Sequence, residues 1–164
     1  MECIINAGRY TATAKNRQAC KFIVLREQLE EFKELVWKEM PSILEVLKET
    51  APAYARAFEL FYLKHQKNPK DDTFFFNTTS FLVIASKNPL DGGLAAANIE
   101  NMAVAEGAGA LYSGYMMRVI EASPVLKNGC VFQNFRYPAV CFLDIRQCHI
   151  SVLRREKKGN IEWR

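Results

Sequence analysis

The run SFLVIAS at residues 80–86 constrains the fold more than any other feature of this sequence. It is short, apolar and β-branched, and polar segments flank it, which predicts a strand buried on both faces. Asn88 and Pro89 then suit the N-cap and first residue of a helix, and the alanine-rich sequence after them ends at Gly107, as a C-terminal glycine predicts. Because small side chains let another backbone approach closely, we expect this helix to be central, packed against the sheet or against a second subunit.

Other helices are predicted from apolar periodicity. Apolar residues recur at steps of three and four over residues 27–47, and Pro41 interrupts them, so this region is either two consecutive helices or one kinked helix. A further helix should have Pro52 in its first turn, and another should begin at Gly114 and stop at Pro124. The remaining strands are predicted at residues 20–25, 110–112, 139–145 and 149–153. This mixture indicates the α+β class.

Length and composition bound the class of protein. At 164 residues and 49% hydrophobic, the chain suits one domain, residues 1–164, with a proper core. No apolar run approaches the roughly 20 residues that span a bilayer, and the first residues lack the features of a signal peptide, so we expect a cytoplasmic protein. Five scattered cysteines without a C-x-x-C pair predict neither a disulfide framework nor a metal site. Much of the net charge of +4 comes from residues 154–164, which is typical of a solvated tail or an anion site and argues against nucleic-acid binding.

The sequence carries none of the motifs of several common enzyme mechanisms. GAGALYSG at residues 107–114 contains G-x-G, but its third glycine is misplaced for a dinucleotide fingerprint, and it follows a helix instead of a strand. The G-x-x-x-x-G-K-[ST] loop, the G-x-S-x-G turn and the H-E-x-x-H motif are absent. His65 and His149 are the only candidates for an imidazole base, and nothing in the pattern supports either. No catalytic side chain is therefore predicted.

Three separated segments carry a further pattern. TATAKNRQ at residues 11–18, with a helix before it and the predicted strand CKFIVL after it, resembles the S-x-x-N-x-Q loop of the FMN-dependent nitroreductase family. Residues 74–116, from FFFNTTS to SGYM, resemble the family's central block of a buried strand, an alanine-rich helix and a glycine-containing turn. YPAV at residues 137–140 and the basic residues 154–164 resemble its closing strand and C-terminal segment.

The resemblance implies a nitroreductase-like α+β fold, with a central mixed or antiparallel sheet surrounded by helices. It implies a homodimer with FMN at the subunit interface, passing hydride from NADH or NADPH to an electron-poor acceptor such as a nitro compound or a quinone. The family's phosphate-binding segment precedes the helix that here begins near Cys3, so the chain is expected to lack that segment. Carried over residue by residue, the cofactor-binding residues implied are Ala12, Thr13, Ala14 and Asn16 beside the flavin, Ser113 and Gly114 against its ring, and Arg154, Arg155 and Lys157 at the phosphate.

The chemistry of these residues agrees with that assignment. Asn offers both kinds of hydrogen bond to the pyrimidine edge of a flavin, and a cation such as Lys15 or Arg17 near N1 and C2=O favours the reduced form. Each residue also has a plain structural alternative: Asn16 and Thr13 suit a braced turn, Ser113 suits a helix start, and the basic tail suits a solvated end. The alternative functions are a flavin-poor or flavin-free dimeric scaffold of the same fold, or an unrelated binding domain.

Overall fold

The computed structural model describes residues 1–129 and the backbone of residues 137–144. The helices are α1 (Glu2–Arg9), α2 (Leu29–Thr50), α3 (Pro52–Lys67), α4 (Pro89–Ala105), α5 (Gly114–Ala122) and α6 (Pro124–Gly129). The strands are β1 (Lys21–Leu25), β2 (Phe81–Ser86), β3 (Gly109–Tyr112) and β4 (Tyr137–Asp144), and single helical turns lie at Ala14–Asn16 and Thr73–Phe75. The predicted strand at residues 149–153 lies outside the described residues.

The four strands form one antiparallel sheet in the order β1-β2-β4-β3. Lys21 pairs with Ala85 at one end of β1 and β2, and Ser86 pairs with Tyr137 where β2 ends. The central strands β2 and β4 therefore each pair with a strand on both sides, and the sheet is antiparallel throughout the described residues. The predicted α+β class is confirmed, as are the strands at residues 20–25, 80–86, 110–112 and 139–145, with ends displaced by at most two residues.

Helices cover the two faces of the sheet, because alternate residues of a strand point to opposite sides. Leu82 and Ile84 of β2 pack with α1 and α4 on one face. Phe81, Val83 and Ala85 pack with α2, α3 and α5 on the other. Every residue of β2 is buried, which confirms the prediction of a strand covered on both faces.

The sequence left open whether the region around Pro41 is one helix or two. The structure has one continuous helix there, α2. Pro41 itself is exposed, whereas Val36, Met40, Ile43 and Leu44 are buried against the core. Burial of this apolar face stabilises the helix on both sides of the proline, and it offsets the hydrogen bond that a proline removes.

Glycine is required where α1 approaches α4. A Cβ added at Gly8 would stand 2.5 Å from Cδ1 and 2.7 Å from Cγ1 of Ile99, which is closer than carbon atoms pack. The close approach holds the short helix α1 against α4, beside the residues that lead into the turn at residues 13–18.

Helix α4 ends in the glycine motif that the sequence predicts. Gly107 has φ of 74°, its N–H donates to the carbonyl of Val104, and the N–H of Ala108 donates to the carbonyl of Ala103. These two bonds are those of a Schellman motif, which needs a left-handed residue after the helix. The bonds turn the chain directly from α4 into β3.

We expect Gly107→Ala to lower the free energy of unfolding by about 1–2 kcal/mol, because a residue with Cβ is strained in the left-handed conformation. Space does not limit the change, since a Cβ at this position would meet no atom within 4 Å. Urea unfolding measures the difference. Glu106→Ala, beside it at a negative φ of −84°, is the control and should change the free energy of unfolding by less than about 0.5 kcal/mol. Equal effects of the two changes would contradict a conformational role for Gly107.

Candidate functional site

A pocket lies at the edge of the sheet where β1 begins and β2 ends. We call it the edge pocket; its cavity is about 260 Å³, and its lining residues are Lys15, Arg17, Ala19, Ser86, Lys87, Asn88 and Asp91. The turn before β1 forms one side of the pocket, and the start of α4 forms the other. The sequence segment that resembles the S-x-x-N-x-Q loop therefore meets the segment that resembles the central block.

The turn at residues 13–18, which we call the polar turn, is braced by Thr13. Its carbonyl accepts a hydrogen bond from the Asn16 N–H at 2.8 Å, and its hydroxyl accepts one from the Gln18 N–H, also at 2.8 Å. Lys15, Asn16 and Gln18 have φ of 58°, 51° and 45°. Non-glycine residues rarely adopt this conformation, and such strain concentrates at functional sites. The side chain of Asn16 is exposed, so its amide is accessible from solvent.

A partly buried hydrogen bond joins Thr11, which precedes this turn, to α4. The hydroxyl of Thr11 donates to the carbonyl of Ala7 at 2.9 Å and accepts from Nδ2 of Asn98 at 2.8 Å. Thr11 is buried and Asn98 stands in an otherwise alanine-rich run. Sequence reasoning missed this contact: an asparagine after three alanines marks a polar position on α4, but nothing in the sequence pairs it with Thr11.

The start of α4 is built as the sequence predicts. Oδ1 of Asn88 accepts a hydrogen bond from the Leu90 N–H at 3.1 Å, and Pro89 is the first helical residue. The hydroxyl of Ser86 accepts from the Asn88 N–H at 3.2 Å and so fixes the link between β2 and the helix. Asp91 follows in the first turn, where the helix dipole favours a carboxylate. Sequence reasoning did not single out Asp91.

Ser113 and Gly114 lie at the start of α5. The hydroxyl of Ser113 accepts a hydrogen bond from the Met116 N–H at 3.2 Å, so the side chain caps the helix. Ser113 is buried, whereas Gly114 is exposed and a Cβ there would meet nothing within 4 Å. Ser113 therefore has the structural role that the sequence also allowed, which is to start a helix.

Within one copy, Ser113 does not reach the polar turn. β3 is three strands away from β1, which is about 14 Å across the sheet. The ends of β3 and β2 are also displaced along the strand direction. Tyr112, at the end of β3, pairs with Cys141 of β4, whereas Ser86, at the end of β2, pairs with Tyr137 of β4. The two ends are therefore about 13 Å apart along β4. Neither Ser113 nor Gly114 lines the edge pocket. Arg154, Arg155 and Lys157 lie outside the described residues.

A second pocket, between α2 and α3, carries charge without resembling a catalytic site. His65 stacks on Trp37 with ring centroids 4.2 Å apart, and the buried Lys33 bonds to Glu30 at 3.0 Å and to Asp72 at 2.9 Å. A hydrogen bond from the Thr73 hydroxyl, with the Lys64 ammonium 2.9 Å away, lowers the pKa of the neighbouring Asp71 below its ordinary value of 3.8. In the part of the chain that the structure describes, no cluster of side chains could hold a metal ion.

Comparison with known families decides the relationship. The family model for the nitroreductase family matches residues 1–128. The chain belongs to the nitroreductase family. The match contains the polar turn, β2, α4 and the glycine-containing turn, so it confirms the resemblance of the first two segments. The nitroreductase family depends on FMN, which agrees with the cofactor that the resemblance implies. No curated protein sequence matches this nitroreductase-family chain significantly.

Solved nitroreductase structures share the fold. A nitroreductase with bound FMN from Bacteroides fragilis NCTC 9343 is 11% identical, covers 99% of this chain and 84% of its own, and superposes with a TM-score of 0.69. A nitroreductase with bound FMN from Desulfitobacterium hafniense DCB-2 is 16% identical, covers 87% of this chain and 74% of its own, and superposes with a TM-score of 0.58. A BluB-like flavoprotein from Clostridium difficile 630 is 16% identical, covers 86% of this chain and 76% of its own, and superposes with a TM-score of 0.54. These likenesses confirm the nitroreductase fold of this chain.

No helix among the described residues has the length and apolarity needed to cross a membrane.

Proposed function

We propose that this nitroreductase-family protein is an FMN-dependent oxidoreductase, with NADH or NADPH as donor and an electron-poor compound such as a nitro compound or a quinone as acceptor. The observation that carries the proposal is the polar turn. It keeps the asparagine of an S-x-x-N-x-Q loop exposed at the sheet edge, on a strained backbone that two bonds to Thr13 hold in place. Bound FMN would supply the hydride chemistry, and the chain would supply binding and orientation.

The described residues suit the polar edge of a flavin. The Asn16 amide can donate to one flavin heteroatom and accept from another, and the exposed Lys15 and Arg17 beside it carry positive charge that stabilises a reduced flavin. Since Thr13 uses its hydroxyl and carbonyl oxygens within the turn, its role in this proposal is to position Asn16, and Ala12 and Ala14 would contribute backbone groups.

The ring and the phosphate are proposed to meet other segments. Ser113 and Gly114 would lie against the ring, because Gly114 is open on the side where a Cβ would stand. Arg154, Arg155 and Lys157 would hold the phosphate, which arginine binds as a fork and lysine supports as a point charge. We also propose that residues 1–164 form one nitroreductase-like domain.

We propose a homodimer, because the described residues of one copy leave an apolar face of α4 exposed. α4 is apolar around most of its circumference, which is typical of a helix buried on all sides. Yet Leu90, Leu94 and Val104 are 65%, 44% and 62% exposed. A second copy on this face would cover these side chains. It would also allow the polar turn of one copy to approach the Ser113 turn of its partner, which one copy alone holds apart.

The alternative is a scaffold of the same fold that does not bind flavin. A specific observation favours it: Thr13 braces its own turn and Ser113 caps its own helix, so both side chains have structural roles without a ligand. The two functions differ in a property that is visible in the purified protein.

The test is flavin content and its reduction. The FMN-dependent function requires a yellow protein, or one that takes up FMN, whose visible flavin absorbance bleaches under anaerobic NADH or NADPH. Recovery of that absorbance on adding a quinone or a nitro compound would identify an acceptor class. A protein that stays colourless with added FMN would reject this function and support the scaffold.

We expect Asn16→Ala to weaken FMN retention about tenfold, since a hydrogen bond is worth about 0.5–1.5 kcal/mol and the amide makes more than one. Because alanine is strained at φ of 51°, Asn16→Gly is the matched variant that removes the side chain without strain. Fluorescence titration with FMN measures both. Equal weakening in the two variants assigns the effect to the amide, and unchanged flavin binding in Asn16→Gly would remove Asn16 from the site.

A further inference from the structure

Two hydrogen bonds in series connect α1, the segment before the polar turn and α4. The Thr11 hydroxyl donates its one proton to the carbonyl of Ala7 at 2.9 Å, so its free lone pairs can pair only with a donor. Nδ2 of Asn98 supplies that donor at 2.8 Å. Because Thr11 is buried and its hydroxyl both donates and accepts, its side chain is fixed from two sides.

The polar turn needs such a connection, because its own bonds fix its shape and not its place. The hydrogen bonds that the backbone of Asn16 and Gln18 donates both end on Thr13, within the turn. The backbone is strained at three positions, and strained backbone persists only where the surrounding structure holds it. Thr11 lies two residues before the turn, so a bond from Thr11 to a fixed element sets the point from which the turn starts.

Helix α4 is a fixed element at this point. Ala95 and Ile99 are at most 1% exposed and pack against β2. Ile99, the residue after Asn98, also makes the close contact with Gly8 of α1. Asn98 therefore reaches Thr11 from a helix whose inner face cannot shift without breaking the core.

The stability of α4 does not explain why residue 98 is an asparagine. Asn98 follows three alanines and is exposed on the helix, where alanine favours helix formation more than asparagine does. In Asn98→Ala the gain in helix propensity offsets much of the lost hydrogen bond, so the free energy of unfolding should change little. A loss of flavin binding in this variant would therefore come from the turn and not from weaker folding.

We propose that Asn98 is a positioning residue of the flavin site. Through Thr11 it sets where the polar turn lies against α4, and so where Asn16 presents its amide. The inference rests on the proposed function for the role of Asn16, whereas the connection between α4 and the turn can be measured without any flavin.

Limited trypsin digestion of the full chain without FMN measures how firmly the turn is held. Trypsin cleaves after Lys15 and Arg17, which are exposed in the turn, and the rate follows the fraction of molecules in which the turn has opened. We expect Asn98→Ala to raise the rate at these two positions about fivefold, the effect of losing one hydrogen bond. Cleavage after Lys67, at the end of α3, is the internal control and should keep its rate.

Fluorescence titration with FMN measures the consequence for the site. We expect Asn98→Ala to raise Kd about fivefold, Thr11→Val to raise it at least as much, and the double variant to bind like Thr11→Val alone, because the two side chains act through one bond. Thr11→Ser keeps the hydroxyl, so it should bind FMN like the wild type and stay sensitive to Asn98→Ala. The test therefore stands even where valine at the buried position affects folding.

Asn101→Ala is the matched control variant. Asn101 is exposed on α4 three residues after Asn98, so both lie on the face where we propose the second copy. The variant removes the same amide from the same face and reports any effect that acts through subunit association. It should leave cleavage of the turn and FMN binding unchanged.

The outcomes separate this inference from the proposed function. A wild type that binds FMN, with an Asn98→Ala variant that binds it equally well, retains the proposed function and overturns the positioning role. Additive effects of Asn98→Ala and Thr11→Val, or weaker FMN binding without faster cleavage in the turn, overturn it as well, because Asn98 would then act by another route. A wild type that takes up no FMN rejects the proposed function, and faster cleavage of the turn in Asn98→Ala would still support the connection to α4.

Discussion

Phe58→Ala should lower the free energy of unfolding by about 3–5 kcal/mol, the range for truncating a buried aromatic side chain. Phe58 of α3 is 0% exposed. Its ring lies 5.2 Å from the rings of both Phe74 and Tyr115 and 6.3 Å from that of Tyr54, in edge-on geometries that add to the energy of burial. The substitution leaves a cavity between α3, α5 and the turn at Thr73–Phe75. Urea unfolding followed by circular dichroism measures the loss.

Leu60→Ala is the matched control for this prediction. Leu60 lies two residues further along the same helix and is 70% exposed, so truncating it removes little buried surface. We expect a change of less than about 0.5 kcal/mol, as for most surface substitutions. A similar loss for both variants would mean that α3 itself, and not the aromatic cluster, responds to the mutations.

The elements that the sequence predicted correctly are those whose signals are local. β2 is recognised by six consecutive apolar or small residues, the start of α4 by Asn88 and Pro89, and its end by Gly107. Each signal acts through bonds or sterics within a few residues. The strand order β1-β2-β4-β3 has no such local signal, because it depends on which distant segments cover β2.

The candidate site was predictable in part for the same reason. The polar turn is conspicuous in sequence, and its resemblance to a family loop located Asn16. The bond that ties the chain before this turn to α4 joins Thr11 to Asn98, which are 87 positions apart, and no pattern in a single sequence pairs them. The unpartnered Oδ1 of Asp91 is likewise a result of packing, because the sequence alone indicates only an acidic residue in a first helical turn.

Leu94→Asp should convert the proposed dimer to a monomer. Leu94 lies on the outer face of α4, between Leu90 and Val104, and is 44% exposed in one copy. A charge buried there without a partner costs about 3–5 kcal/mol, so the dissociation constant should rise more than about 100-fold. A two-fold axis places the change on both sides of the interface. Sedimentation at micromolar concentration measures the result.

Leu63→Asp is the matched control, since Leu63 is 48% exposed on α3, which packs on the opposite face of the sheet. We expect this variant to remain a dimer and to keep its flavin, whereas Leu94→Asp should lose flavin together with its partner subunit. A monomeric wild type, or a dimeric Leu94→Asp variant, would reject the α4 face as the interface. A monomeric variant that still held FMN would mean that one copy completes the site. The displacement between the ends of β2 and β3 within one copy argues against that result.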